Sequence, residues 1–194
     1  MALEWRPTED HEHYSKDPAY LERRFGVPPL RELRLATGVV GVARVVVVPS
    51  SGGESIYTLV YRANDVEVEA RRATHSLWES LSVPLWRPLI RGDWVAPAAV
   101  TRAMSFYDLS TPLNGWQSVK EAARSAPTVT FAIIDGQKCH TLDGVSYRHH
   151  VVDVETDIYA VWDNPAEDAS NHVEQVRLVA AYEQLFRRCS EPNE

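Results

Sequence analysis

The sequence predicts an α+β domain in which an antiparallel β-sheet packs against helices. We expect about six to seven strands in two β-meander groups, because stretches rich in β-branched and aromatic residues are joined by turns too short for the crossover helices of a parallel sheet. The C-terminus shows the residue spacing of an amphipathic helix. We assign residues 1–30 to a polar segment with a short helix and residues 31–194 to a single α+β domain, since 194 residues suffice for one core.

A short N-terminal helix is predicted to begin at Asp17-Pro18, where aspartate can cap a helix and proline fits its first position. Its apolar residues are Tyr20, Leu21 and Phe25. Gly26 and the prolines that follow it should end the helix, because glycine favours a C-terminal cap and proline cannot continue the helix.

The first meander group is predicted from about Leu33 to Arg72. It contains the apolar run Val45–Val48, a loop rich in Gly and Ser over 49–55, and the stretch IYTLVYR over 56–62. The next stretch, VEVEARR over 66–72, alternates between apolar and charged residues, which indicates a strand with one wet face.

The middle of the chain is less regular, because prolines at positions 84, 88 and 97 exclude a long helix. We expect a short helix, an irregular packed segment and a strand near Ala103–Leu109. A further helix is predicted over Gly115–Ala126, where Trp116 and Val119 share one face and Pro127 ends the helix.

The second meander group is predicted from TVTFAII (128–134), VSYRHHVV (145–152) and DIYAVW (157–162). A turn is expected at Asp135-Gly136. Strand alternation places His149 on one face with Ala160, and His150 on the other face with Tyr159. The final helix is predicted to begin near Asn171, with Asn171 or Ser170 as its cap, and its expected core-facing residues are Leu178, Tyr182, Leu185 and Cys189.

The composition narrows the class of protein. The formal net charge is −7, which argues against binding to nucleic-acid phosphates and is compatible with steering toward a basic partner. No apolar run reaches the roughly 20 residues of a membrane-spanning helix, and the N-terminus lacks a secretory pattern. With two cysteines, interpreted as reduced, these features predict a cytoplasmic protein that does not bind membranes.

The stretch CHTLDGVSYRHH (139–150) holds the residue types from which metal or catalytic sites are built. Cys139 and His140 are candidate metal ligands, and His149 and His150 are candidate catalytic residues. Adjacent strand residues point to opposite faces, so the two histidines should not bind one ion together. We therefore interpret both as strand residues with aromatic and aliphatic neighbours, and we predict no cofactor. Standard phosphate-loop, dinucleotide, nucleophile-elbow and zinc motifs are absent from the sequence.

A candidate binding segment is LWRPLIRGDWVAP, residues 85–97. Tryptophan and arginine are enriched at interaction hot spots, and here they lie in a proline-rich stretch. The candidate binding residues are Trp86, Arg87, Arg91 and Trp94. The alternative is that these aromatic residues anchor an irregular segment to the core.

Residues 133–165 and the following helix, which contains YEQLFRRC, resemble a pattern in small uncharacterised bacterial α+β proteins. The matching residues are Leu142-Asp143-Gly144, Trp162 and Pro165. Some of these proteins are regarded as immunity proteins encoded beside toxins. The resemblance implies a non-enzymatic bacterial protein-binding function, as an inhibitor of a toxin, and it assigns no site residue. The alternatives are a hydrolase or metal-dependent enzyme that uses His149 or His150 with a carboxylate, and a small-ligand binding domain.

Overall fold

The computed structural model describes residues 19–50, 52–63, 65–73, 76, 99–104, 115–124, 132–134, 137–139, 144–163, 176–178, 180–182 and 184. These residues form an α+β arrangement of an antiparallel sheet with a few short helices. None of the helices in these ranges is long and apolar enough to cross a bilayer.

The six strands of the main sheet are β1 Val39–Pro49, β2 Ser55–Arg62, β3 Val66–Arg72, β4 Ala99–Met104, β7 Val145–Val152 and β8 Asp157–Asp163. They lie in the order β4-β3-β2-β1-β7-β8, and every neighbouring pair is antiparallel. A separate two-stranded hairpin consists of β5 Ala132–Ile134 and β6 Gln137–Cys139. Because β1 pairs with both β2 and β7, the two predicted groups of strands join into one sheet.

Three helices have described bounds: α1 Ala19–Phe25, α2 Leu30–Arg34 and α3 Trp116–Arg124. Helix α1 ends before Gly26, as the sequence predicts, and that glycine has a φ of 65°, in the left-handed region that favours glycine. The described residues between 176 and 184 are helical, and Leu178 and Tyr182 among them are buried. The predicted start of this helix at Asn171, and its residues Leu185 and Cys189, lie outside the described ranges.

Two predicted boundaries are wrong. The β region was expected from Leu33, but Leu33 lies in α2 and β1 begins at Val39. The strand expected near Ala103–Leu109 is β4, which begins earlier, at Ala99. In both places polar and apolar residues follow each other without a regular repeat. The start of the strand is therefore decided by its pairing with neighbouring strands and not by the local sequence pattern.

The predicted alternation of the β7–β8 hairpin is confirmed. Tyr147 is opposite Trp162, His149 is opposite Ala160, and His150 is opposite Tyr159. One face of the sheet, the core face, packs against α3 and the C-terminal helical residues. The buried residues of this part of the core include Val45, Leu59, Val68 and Val151 from the strands, and Trp116, Val119, Leu178 and Tyr182 from the helical residues.

The opposite face, the α1 face, is covered by the two N-terminal helices. Leu21 and Phe25 of α1 pack against Val46 and Ile56. Leu30 of α2 packs at one end of the same face, with Val42, Val60 and Val152. The polar N-terminal part of the sequence therefore supplies apolar residues that close the second side of the sheet. The boundary proposed at residue 30 remains a prediction.

Gly41 sets how closely α3 approaches the sheet. A Cβ atom built on Gly41 would overlap the six-membered ring of Trp116. The indole of Trp116 is buried there, and its Nε1 donates to Asp153 Oδ2 at 2.9 Å. The absence of a side chain at position 41 thus allows α3 to dock directly over β1 and beside the β7–β8 turn.

Candidate functional site

Two adjacent histidines of β7 occupy opposite environments. His149 lies on the core face and is completely buried, whereas the side chain of His150 lies on the α1 face and is 27% exposed. The predicted separation of the two rings by strand alternation is confirmed, so they do not converge on one ion. In the described part of the chain, no group of three metal-ligating side chains is close enough to hold a metal.

His149 belongs to the packed core. Its Nε2 lies 2.9 Å from the hydroxyl of Tyr182, and its ring lies 5.1 Å from that of Trp162. Burial, together with the neighbouring His150, lowers the pKa of His149 to about 3, so the ring is neutral over the physiological range. A neutral ring with no access to solvent is unsuited to exchange protons with a substrate.

His150 has an acidic partner, contrary to the sequence-based expectation of only aromatic and aliphatic neighbours. Its Nε2 lies 2.7 Å from Asp157 Oδ1, and its ring meets that of Tyr159 edge-on at 5.9 Å. The expectation failed because it considered residues directly opposite in the hairpin. Asp157 is opposite Val152, which makes it a diagonal neighbour of His150 on the same face.

Arg31 of α2 completes this cluster. Its Nη2 and Nε donate to Asp157 Oδ2 at 2.7 and 3.3 Å. The hydrogen bonds from Arg31 and then from His150 hold the pKa of Asp157 below its usual range. The ionised carboxylate accepts the proton on His150 Nε2, so in neutral His150 the lone pair is on Nδ1. An imidazole held in one tautomer by a carboxylate is the arrangement that a general base uses.

A buried ion pair lies beside this cluster, under α1. Arg44 of β1 is opposite His150, and its side chain is fully buried. Its Nε donates to Thr58 Oγ1 at 3.0 Å, and its Nη2 donates to the carbonyl of Pro28 at 2.8 Å. Its Nη1 lies 3.2 Å from Glu22 Oε2. These contacts engage Arg44 inside the fold, so its role is to hold α1 and the segment after it on the sheet.

A third polar cluster holds α3 on the β7–β8 turn. Asp153 accepts from Lys120 Nζ at 2.5 Å and from the indole of Trp116. Although burial alone would raise the pKa of Asp153, hydrogen bonds from Lys120, Trp116 and the backbone N–H of Glu155 lower it. Both side chains of the ion pair are more than 90% buried. This cluster therefore fixes the geometry of the turn that precedes β8.

Three large apolar side chains are exposed at one end of the sheet. Leu35 is 85% exposed, Val154 is 81% exposed and Val40 is 43% exposed. Val42 pairs with Val152, so Val40 and Val154 follow at the same end of β1 and β7. Leu35 lies in the connection from α2 to β1, which is closed by a hydrogen bond from Val39 N to Ala36 O. We call Leu35, Val40 and Val154 the end patch.

The end patch is next to the histidine cluster. Arg31 precedes Leu35 by one helical turn, and Asp157 begins the strand that follows the turn carrying Val154. Scattered exposed apolar residues are common on soluble proteins, whereas a group of them at one place is typical of an interaction site. In protein interfaces generally, arginine and aromatic residues are enriched beside apolar groups.

Several sequence-based candidates lie outside the described residues. These are Trp86, Arg87, Arg91 and Trp94 of the candidate binding segment, and His140. Cys139 is the last residue of β6, and its side chain is not described. The proposed binding role of the four Trp and Arg residues and the metal-ligand role of Cys139 and His140 remain predictions.

The sequence interpretation missed Arg31 and the end patch, and it did not connect the acid–base candidate Asp157 with His150. Asp157 carried a usable signal, because the predicted hairpin register already placed it diagonally to His150. Arg31 is 126 residues away from Asp157 in the chain, and no local pattern links the two. Leu35 and Val154 look like ordinary apolar residues in the sequence, and their exposure depends on where α2 and the hairpin turn end.

The chain was compared with protein-family models, with curated proteins and with solved structures, and none of these comparisons finds a match.

Proposed function

We propose that this protein is a non-enzymatic protein-binding protein of bacterial type, similar in role to the immunity proteins that inhibit toxins. The observation that carries the proposal is the end patch, in which Leu35 and Val154 expose more than four fifths of their surface. Leaving such side chains in water forgoes roughly 1.5–3 kcal/mol each in burial free energy, which a partner surface would recover. The cytoplasmic location predicted from the sequence belongs to this proposal.

Introducing negative charges into the end patch tests the proposal. The purified chain and a Leu35→Asp, Val154→Asp variant are immobilised and exposed to lysate of the organism that encodes the chain. We expect a protein that the wild type retains and the double variant does not, because two buried charges in an apolar interface are costly. A variant at another exposed position, Arg72→Asp, should retain it.

The thermal stability of each variant shows whether it is folded, and the captured protein should raise the melting temperature of the wild type. The proposal fails if the wild type and the double variant retain the same proteins, or if the wild type retains none. The coding neighbourhood provides a second check, since the immunity role requires a toxin gene next to this one.

A second candidate function, hydrolysis, is favoured by one observation: the 2.7 Å contact between His150 and Asp157. We propose that Nδ1 of His150 accepts a proton from water as the water oxygen attacks an ester carbonyl. The carbonyl oxygen takes the negative charge, the alkoxide or phenolate leaves, and His150 returns the proton to solvent. The hydroxyl of Tyr159 is available as a donor, because burial raises its pKa.

Hydrolysis of p-nitrophenyl acetate distinguishes the two candidate functions. If His150 is a general base, His150→Gln should lower the rate above buffer by about 100-fold or more, and Asp157→Asn should also lower it because the tautomer is no longer held. Arg72→Gln serves as the control. A rate that equals the buffer rate, or that survives His150→Gln, excludes this activity.

A further inference from the structure

The charged residues that surround the end patch differ in whether the fold already neutralises them. The cations at this end are mostly paired within the fold. Arg31 binds Asp157, Arg62 Nη2 lies 3.4 Å from Glu67 Oε2, and Lys120 binds Asp153. The exception is Arg34, which has no carboxylate partner among the described residues. Its side chain is half-buried.

Three exposed carboxylates at the same end lack a partner in the described part of the chain. Glu32 is in α2, next to Arg31. Asp65 lies in the β2–β3 turn, where Arg62 N donates to its carbonyl at 2.9 Å, and Arg62 pairs with Val39 at the start of β1. Glu155 follows Val154 in the β7–β8 turn. We call Glu32, Asp65 and Glu155 the acidic rim.

From this arrangement we infer that the end patch and the acidic rim together form a docking surface for a basic protein, whose Lys and Arg residues surround an apolar centre. The inference rests on the proposed binding function and adds the chemistry of the partner. An apolar centre with a polar rim is the usual anatomy of a protein interface. Among the described residues at this end, the three unpaired carboxylates of the rim outnumber the one unpaired cation, Arg34, so charge complementarity selects a basic partner over an acidic or neutral one.

The local charge matters more here than the total charge of the chain. Salt screens charges beyond about 8–10 Å, so a partner at this end responds chiefly to the nearby carboxylates. A basic partner is therefore attracted to this end by its free carboxylates rather than by the total charge of −7.

Two labelled peptides of equal length test the inference. One is an amphipathic peptide of leucine and lysine, and the other has glutamate in place of lysine. Fluorescence anisotropy measures the binding of each to the full chain at low salt and at physiological salt. We expect the lysine peptide to bind and the glutamate peptide not to bind, with affinity falling as salt rises.

Charge reversal locates the binding. The variant Glu32→Lys, Asp65→Lys, Glu155→Lys should bind the lysine peptide about tenfold more weakly or worse, since each reversal removes an attraction to lysine and adds a repulsion. Leu35→Asp should also weaken binding. Glu121→Lys, at an exposed position of α3 outside the acidic rim, is the control for a single charge reversal.

Each remaining result overturns the inference. If the lysine peptide binds equally well to the wild type and to the triple variant, its binding site lies elsewhere on the chain. If the glutamate peptide binds better, the surface selects an acidic partner and not a basic one. No binding of either peptide excludes a charge-selected surface. The proposed function is judged separately, because capture that depends on Leu35 and Val154 can succeed with an acidic or neutral partner.

Discussion

Replacing Arg44 with methionine should lower the free energy of unfolding by about 3–5 kcal/mol, because it removes one partner of a buried ion pair and leaves the other uncompensated. The Arg44 side chain is fully buried, and that of Glu22 is 17% exposed. Methionine fills much of the same volume, so lost packing contributes little to the change. Urea unfolding at neutral pH, followed by tryptophan fluorescence, measures it.

The large effect follows from how many groups Arg44 satisfies. The methionine variant leaves Glu22 without its cation, Thr58 Oγ1 without a donor and the carbonyl of Pro28 without a donor. Burial lowers the pKa of Arg44 and the charge of Glu22 opposes this shift, so the two charges depend on each other. Helix α1 should therefore loosen before the sheet unfolds.

Two further variants isolate the charge pair. Glu22→Gln combined with Arg44→Met removes both charges, and it should recover a substantial part of the lost stability, as a double-mutant cycle would show. Arg31→Met breaks an ion pair whose arginine is 80% exposed, and it should cost only about 0–1 kcal/mol. If Arg44→Met is no more destabilising than Arg31→Met, the buried pair does not hold α1.

Lowering the pH should destabilise the protein through His149. In the unfolded chain histidine takes up a proton near pH 6.5, whereas the folded state resists protonation of His149 until about pH 3. The unfolded state therefore binds more protons in this window. The stability contributed by neutral His149 is complete above pH 6.5 and is lost as the pH falls toward 3, at about 1.4 kcal/mol per pH unit.

The variant His149→Phe separates this effect from other titrations. It removes the ionisable group, so unfolding between pH 6.5 and 4.5 should take up about one proton fewer than in the wild type. The free energy of unfolding should therefore fall less steeply with decreasing pH, as measured by urea unfolding at several pH values. The variant also loses the contact between Nε2 and the Tyr182 hydroxyl, so it should be less stable than wild type at pH 7.5. Only the pH dependence bears on the protonation of His149.

His150→Gln is the matched control, because the two histidines are adjacent in β7 but face opposite sides of the sheet. It removes a partly exposed ring, so the acid-induced decline attributed to His149 should persist in that variant. If wild type and His149→Phe lose stability in parallel as the pH falls, the buried ring either gains solvent access or finds a partner when protonated.

Much of the sheet could be predicted from the sequence because its signals are local. Strand β3 matches the alternating stretch over 66–72, and β7 matches 145–152. The two faces of the β7–β8 hairpin follow from the period of two, which requires only the position of the turn. The short helix before Gly26 likewise follows from the conformational preferences of glycine and proline.

The site could be predicted only in part. The separation of His149 from His150 is a property of any strand, so it was available from the sequence. Which of the two histidines is buried was not available, because burial depends on what covers each face. Tyr182 arrives on the core face from 33 residues further along the chain, and Arg31 reaches Asp157 across 126 residues. Contacts at such distances leave no periodic trace in a single sequence.

By itself, the sequence determined the fold class, the bounds of several strands and the alternation that sends adjacent side chains to opposite faces, since backbone geometry and residue preference act locally. The tertiary structure alone decided which histidine is neutral and buried, which arginine is sealed beneath α1, and which apolar residues remain in water at the end patch. Those outcomes depend on solvent exclusion and on charge pairing, and both arise only when distant segments pack together.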